Sequence, residues 1–196
     1  MKWIFVGLGN PGSEYSDSRH NVGRVALEIF AKKEKIEWRE DKKSNATVST
    51  GENTTLILPN TFMNNSGKAL VKYVKSIKSA KNTVVVYDDI DLPLGRIKFS
   101  FDRSSGGHNG VKSVEAALKT RCFWRIRIGV APTTASGKPK KPSGEEAVIK
   151  FILGTFTPTQ REDLKKVYKE VVKAIEMIVS DGAERAMNQF NSQFTR

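Results

Sequence analysis

The chain has 196 residues, 38% of them hydrophobic and 28% charged, which is enough apolar material for one sizeable core and too much for a disordered chain. Lys and Arg number 33 against 21 Asp and Glu, a formal charge of +12 that concentrates polyanions near the surface, nucleic acid first among them. No run approaches the roughly 18–20 apolar residues of a membrane span. The opening MKWIFVGLGNPG breaks too early for a secretory signal, and a single cysteine, Cys122, excludes an internal disulfide. A cytoplasmic protein with no membrane association is expected.

In chain order, Lys2–Gly7 reads as a short buried strand and Asn21–Lys33 as a helix, with Val22, Val25, Ala26, Ile29 and Phe30 on one face. Thr54–Leu58 reads as a strand stopped by Pro59. Ala69, Leu70, Tyr73, Val74 and Ile77 have the spacing of a second amphipathic helix. Thr83–Tyr87 (TVVVY) is apolar without alternation, as expected of a strand covered on both faces. Gly95–Phe101 alternates and reads as a more peripheral strand, Val111–Leu118 as a short helix and Trp124–Ala131 as another strand. Pro132–Glu146 is rich in Pro, Gly, Ser and Lys and reads as a flexible basic loop, a candidate flap over an anionic ligand. Over Pro158–Ser180, Leu164, Tyr168, Val171, Ile175 and Ile178 form the core-facing stripe of a long helix, with Lys165, Lys169 and Lys173 off that stripe. Alternating strands and helices predict the α/β class: one globular domain over residues 1–196, a mixed β-sheet flanked by helices, and a C-terminal helical segment over residues 158–196.

Gly7-Leu8-Gly9-Asn10-Pro11-Gly12 matches G-x-G-x-x-G after a strand, the pattern of a dinucleotide-binding turn. That turn needs a helix opening at its third glycine, whereas Ser13–Arg19 has no helical periodicity and Pro11 removes an amide that would face a phosphate. A nucleotide-dependent oxidoreductase is therefore disfavoured, and a turn projecting Asn10 from the strand end fits better. In open α/β sheets ligands bind beyond the carboxyl ends of strands. Asn10, Asn60–Ser66 and Asp88-Asp89 each follow a predicted strand, and Ser104–Gly110 precedes a helix, so four polar loops are candidates for one cleft.

The two histidines, His20 and His108, each precede an asparagine. Histidine suits proton transfer near neutrality when a carboxylate orients it, and Asp88, ending a buried strand, is the best placed acid. Asp91 is expected to cap the turn Asp91-Leu92-Pro93. No G-x-S-x-G elbow or H-E-x-x-H cluster is present, and Cys122, among bulky residues, is expected to be buried. A histidine, an acid and several asparagines can activate water directly and hold a carbonyl with amide donors.

Gly7–Gly12 with Tyr15 and Arg19-His20-Asn21-Val22-Gly23, Pro59–Gly67, Asp88-x-x-Asp91-Leu92-Pro93-x-Gly95, Gly106–Gly110 and Phe123–Val130 together resemble the bacterial peptidyl-tRNA hydrolase family over essentially the whole chain. The resemblance implies hydrolysis of the ester joining a peptide to the terminal ribose of tRNA, in a monomer with no cofactor, no metal and no obligate protein partner. It implies that His20 is the base, that Asp88 orients it, and that Asn10 and Asn64 position substrate and water, Asn64 also as an oxyanion donor. It further implies that Tyr15, Phe62 and Met63 line the groove for the CCA end and peptide, and that Asn109, with His108 beside it, contacts substrate. Where relatives often carry a lysine for the tRNA 5′-phosphate this chain has Ser100, so Lys98 or Arg103 is expected to take that role with Arg127, on the acceptor stem. Where many relatives have His before the catalytic aspartate, this chain has Tyr87. A chloroplast intron-splicing factor of the same fold, an RNA-binding module, is the alternative.

Overall fold

The computed structural model describes residues 2–192. Its first strand, β1 (Trp3–Gly7), lies centrally in a seven-stranded sheet. After β1 the chain makes two single-turn 3-10 segments, Ser13–Tyr15 and Arg19–Asn21, before α1 (Val22–Lys33). Only a single 3-10 turn, not an α-helix, follows Gly12, in keeping with a disfavoured dinucleotide turn. A hairpin follows, β2 (Trp38–Asp41) and β3 (Ala46–Thr50), then β4 (Thr54–Pro59). Next come a 3-10 segment (Met63–Leu70), α2 (Ile77–Lys81), β5 (Thr83–Pro93), β6 (Ile97–Phe101), α3 (Asn109–Leu118) and β7 (Trp124–Ala131). Three helices end the described chain: α4 (Glu145–Leu153), α5 (Pro158–Asp181) and α6 (Ala183–Ser192). The last four residues of the expected C-terminal helical segment lie outside the described residues.

The strand order is β2-β3-β4-β1-β5-β7-β6. β4, β1, β5 and β7 run parallel, and antiparallel pairs at both ends make the sheet mixed. β5 shows why TVVVY lacks alternation. Val84 and Val86 enter a core packed by α1, α5 and α6, while Val85 and Tyr87 enter a second core under the Met63–Leu70 segment and α3. β6 is an edge strand, as its alternation predicts.

Four expectations need correction. The helix expected over 69–77 is broken: a 3-10 segment ends at Leu70 and a separate helix, capped reciprocally by Ser76 and Ser79, starts at Ile77. Tertiary contacts decide this, because Gly67 lies so close to α3 that a Cβ there would sit 2.1 Å from the Ser113 carbonyl oxygen, and Lys72 and Tyr73 both bind Asp41. The 132–146 segment is not loop to its end, since α4 starts at Glu145 and the chain before it folds back through a bridge between Thr133 and Pro139. Asp91 does not cap its turn; Asp89 Oδ1 accepts the Asp91 N–H at 2.7 Å, and Asp91 instead pairs with Lys141 at 2.6 Å. Cys122 is half-buried, not buried.

Candidate functional site

β1 leads leftward to β4 and β5 leads rightward to β7, so the crevice beyond the carboxyl ends of β1 and β5 is the sheet's switch point. β5 continues into it. Asp88 has the parity of Val84 and Val86, which face α1, and the 3-10 turn that starts α1 carries His20 on that side. His20 Nδ1 lies 2.8 Å from Asp88 Oδ1, with both side chains buried. The turn reaches the strand because α1 approaches closely: a Cβ on Gly23 would meet the Val86 carbonyl oxygen at 2.1 Å, and one on Gly7 would meet the Gly23 oxygen at 2.6 Å. The turn is also held from outside. Arg19 N–H bonds the Gly154 carbonyl, its guanidinium donates to the Phe151 carbonyl and lies over the Phe151 and Phe156 rings, and Ser18 bridges to Thr155.

The second histidine arrives from the other face. β6 is antiparallel to its neighbour, so its carboxyl end at Phe101 lies at the far edge, beside Trp124. The Asp102–Gly107 loop carries the chain back, and α3 starts at the cleft. His108 is the N-cap of α3: its Nδ1 accepts the N–H groups of Gly110 at 3.1 Å and Val111 at 3.3 Å. Nδ1 therefore carries a lone pair, and the proton sits on Nε2, which lies 2.9 Å from the same Asp88 Oδ1. One carboxylate oxygen thus takes two imidazoles, whose ring centres are 5.0 Å apart, while the Tyr87 ring meets His108 edge-on at 4.8 Å.

Burial works against a charge on His20, but the charge of Asp88 and its hydrogen bond outweigh it and raise the His20 pKa. Burial likewise works to raise Asp88, and the two histidines overcome it, holding the carboxyl well below its ordinary range. Tyr87 is pushed up to about 12 by burial, partly offset by Arg127 and Arg125. The donor atoms of His20, Asp88 and His108 lie within 4.8 Å of one another, a spacing that would suit a metal. Ligation through His108 Nε2 would move its proton to Nδ1, directly against two backbone N–H donors, so the capped tautomer fits a carboxylate partner and not a cation.

His20, Asp88, His108, Asn109, Lys98, Arg103 and Arg127 line one cavity of about 970 Å³, walled on its apolar side by Ile90, Phe99, Val148, Ile149, Ile152 and Met187. Arg127 pairs with Asp89, whereas among the described residues Lys98 and Arg103 side chains have no partner. Ser100 also lines it, its buried Oγ unpaired. The other expected residues form an adjoining group outside that lining. Asn10 Oδ1 accepts the Met63 N–H at 2.9 Å, Tyr15 and Phe62 meet edge to face with Phe62 exposed, and Met63 packs beside Gly110. Asn64 is exposed, its oxygen 3.5 Å from Asn65 Nδ2, and it makes no bond to the histidine pair. Asn109 is exposed at the first position of α3.

Two positions that hold the loops of this region escape sequence reasoning. Asn21 stands beside a histidine and reads as its neighbour only, yet its carboxamide accepts the Asn10 N–H and donates to the Asn10 carbonyl, both at 2.9 Å. Arg125 reads as one of two basic residues on a strand. It is fully buried, donates to the Arg103, Phe123 and Arg121 carbonyls and pairs with Glu115, which ties the Arg103 loop to β7.

A buried histidine–carboxylate pair beside a cavity at the switch point of a mixed sheet defines an α/β protein with a candidate acid–base site. Sequence comparison narrows the class. The family model described as Peptidyl-tRNA hydrolase matches residues 4–196. The chain is 41% identical to the peptidyl-tRNA hydrolase of Herpetosiphon aurantiacus over 97% of this chain and 91% of that one, and 37% identical to that of Syntrophotalea carbinolica over 97% of each. The crystal structure of the peptidyl-tRNA hydrolase of Acinetobacter baumannii superposes with a TM-score of 0.86 at 29% identity, covering 97% of this chain and 94% of that one. The chain belongs to the peptidyl-tRNA hydrolase family.

Proposed function

We propose that this chain hydrolyses the ester between a peptide's C-terminal carbonyl and the terminal ribose of tRNA, through a water activated by His20, without a metal or covalent intermediate. The observation that carries the reading is the buried His20–Asp88 pair at 2.8 Å. With Nδ1–H donated to the carboxylate, Nε2 holds the lone pair that accepts a proton. Water attacks the ester carbonyl as His20 Nε2 takes its proton, and the carbonyl electrons move to oxygen. The tetrahedral oxyanion collapses, the bond to the ribose oxygen breaks, and the imidazolium returns the proton to that oxygen. Products are the peptide acid and tRNA bearing a free hydroxyl. Asp88 stays ionised and stabilises the imidazolium.

Asn10 spends its side-chain oxygen on Met63, so its Nδ2 is the end available to substrate, and Asn64 supplies a second amide for the oxyanion. Tyr15 and Phe62 offer the aromatic surface on which an unpaired CCA base stacks, with Met63 buried next to Phe62 in the chain. Asn109 addresses the peptide backbone or terminal adenosine. Lys98 and Arg103, with Arg127, take the tRNA phosphate in place of a lysine at Ser100. The protein acts in the cytoplasm, as a monomer.

The test is cleavage of N-acetylaminoacyl-tRNA by purified protein, with and without EDTA. Release of the N-blocked amino acid at the same rate in both is expected. Binding of tRNA without cleavage would favour an RNA-binding module, and inhibition by EDTA would overturn the metal-free route.

A further inference from the structure

The resemblance groups His108 with substrate-binding residues, but its ring is nine-tenths buried and both its nitrogens are already engaged: Nδ1 by two N–H groups of α3, Nε2 by Asp88. We propose that His108 is a positioning residue, a neutral imidazole whose tautomer is locked by its cap on α3 so that Nε2–H holds Asp88 Oδ1 in the orientation that His20 uses. The inference rests on the reading of His20 as the base.

The argument is one of donors and acceptors. A carboxylate beside one imidazole can rotate about its last bond, whereas a second donor on the same oxygen removes that freedom. The helix start is the lock. A proton on His108 Nδ1 would point at the Gly110 and Val111 N–H groups and at the positive end of the α3 dipole, so the ring can offer Asp88 only Nε2–H. Sharing Oδ1 also divides the carboxylate's charge between two donors, which moderates its pull on the His20 proton. The groups facing this cluster are Tyr87 edge-on to His108, and around the cavity Asp89, Asp91, Lys98, Arg103, Lys112, Arg127 and Glu145.

Two substitutions separate the two nitrogens. Asparagine places its oxygen near Nδ1 and is a good N-cap, so His108→Asn keeps the cap and loses the bond to Asp88. Glutamine extends its amide toward the place of Nε2, so His108→Gln keeps a donor for Asp88. His108→Asn is expected to fold as wild type yet lose about 10- to 100-fold in kcat, the cost of one hydrogen bond to a charged group. The acid limb of its pH–kcat/KM profile is expected to move to higher pH, because Asp88 then acts on His20 alone. His108→Gln is expected to restore most of kcat and the wild-type limb. Imidazole nitrogen NMR on the wild type reads the lock without any activity, with the proton of His108 expected on Nε2 near neutral pH. A proton on Nδ1, or a His108→Asn enzyme with wild-type kcat and an unmoved limb, would overturn the proposal. Should the wild type cleave no ester, the functional reading falls while the NMR still decides the lock, as does the His20 titration in His108→Asn.

Discussion

Asn21 and Asn10 face each other as two residues of a paired strand would, except that one side contributes a side chain: the Asn21 carboxamide takes both the N–H and the carbonyl of Asn10. Asn10 in turn holds Met63 through its own side chain, so one carboxamide orders the β1 loop and, through it, the loop after β4. Asn21→Ala leaves two buried backbone groups unsatisfied, at about 1–3 kcal/mol each. A lowered urea midpoint and a fall in kcat larger than any change in tRNA affinity are expected; unchanged kinetics would remove Asn21 from the site's framework.

His20→Ala removes the proposed base. Turnover of N-acetylaminoacyl-tRNA is expected to fall by about 10²–10⁴-fold, with tRNA affinity, measured by filter binding, nearly intact.

The pH dependence follows from the raised His20 pKa. A base works unprotonated, so kcat/KM rises with pH through a midpoint above the ordinary histidine value of about 6.5. For stability the direction is opposite. The protonated His20–Asp88 pair stabilises the fold fully below about 6.5, and this contribution is lost as pH climbs through the folded His20 pKa. Asp88, with its pKa depressed, contributes above its ordinary value of about 3.9 and loses that contribution only as pH falls through the folded value. Urea midpoints measured across the acid and neutral range, with His20→Gln as control, read both effects.

Arg127 is held by Asp89 at the cavity wall. Asp89→Asn frees it, and tighter tRNA binding with a steeper salt dependence is expected, because one more phosphate contact releases one more counterion. Lys98→Ala and Arg103→Ala should weaken binding and flatten the same slope. Titrations at several salt concentrations measure it, and parallel slopes for all variants would argue against a phosphate grip here.

Gly23 has no room for a methyl group, since the Val86 carbonyl oxygen occupies its place. Gly23→Ala must push α1 off β5. A loss of about 1–3 kcal/mol is expected from overpacking, and because His20 rides on the turn before α1, activity at low temperature should fall further than the folded fraction does.

The sheet's centre was legible in the sequence because burial on both faces leaves a plain mark, the uninterrupted valines of β5. The β2–β3 hairpin was not, because its outer strand reads Trp-Arg-Glu-Asp, half or fully exposed, with no apolar rhythm to find. α4 escaped for a related reason: no residue of it is fully buried, and a Pro- and Lys-rich stretch precedes it. Of the site, His20 and Asp88 could be paired from residue type and place, and the distance between them agrees. The bonds from His108 to Asp88 and from Asn21 to Asn10 could not be read, because each is a single contact between distant segments that no periodicity encodes.

The rim of the cleft holds one more constraint, in α6. Asn191 gives its amide N–H to the Phe99 carbonyl and takes the Phe99 N–H on its oxygen, stopping the outer edge of β6 beside the cavity. An extended polypeptide has no vacant backbone rung at Phe99 on which to add itself as an eighth strand. On the function proposed above, a peptide lying along this wall would find the Phe99 rung already taken and would rely on side-chain amides there.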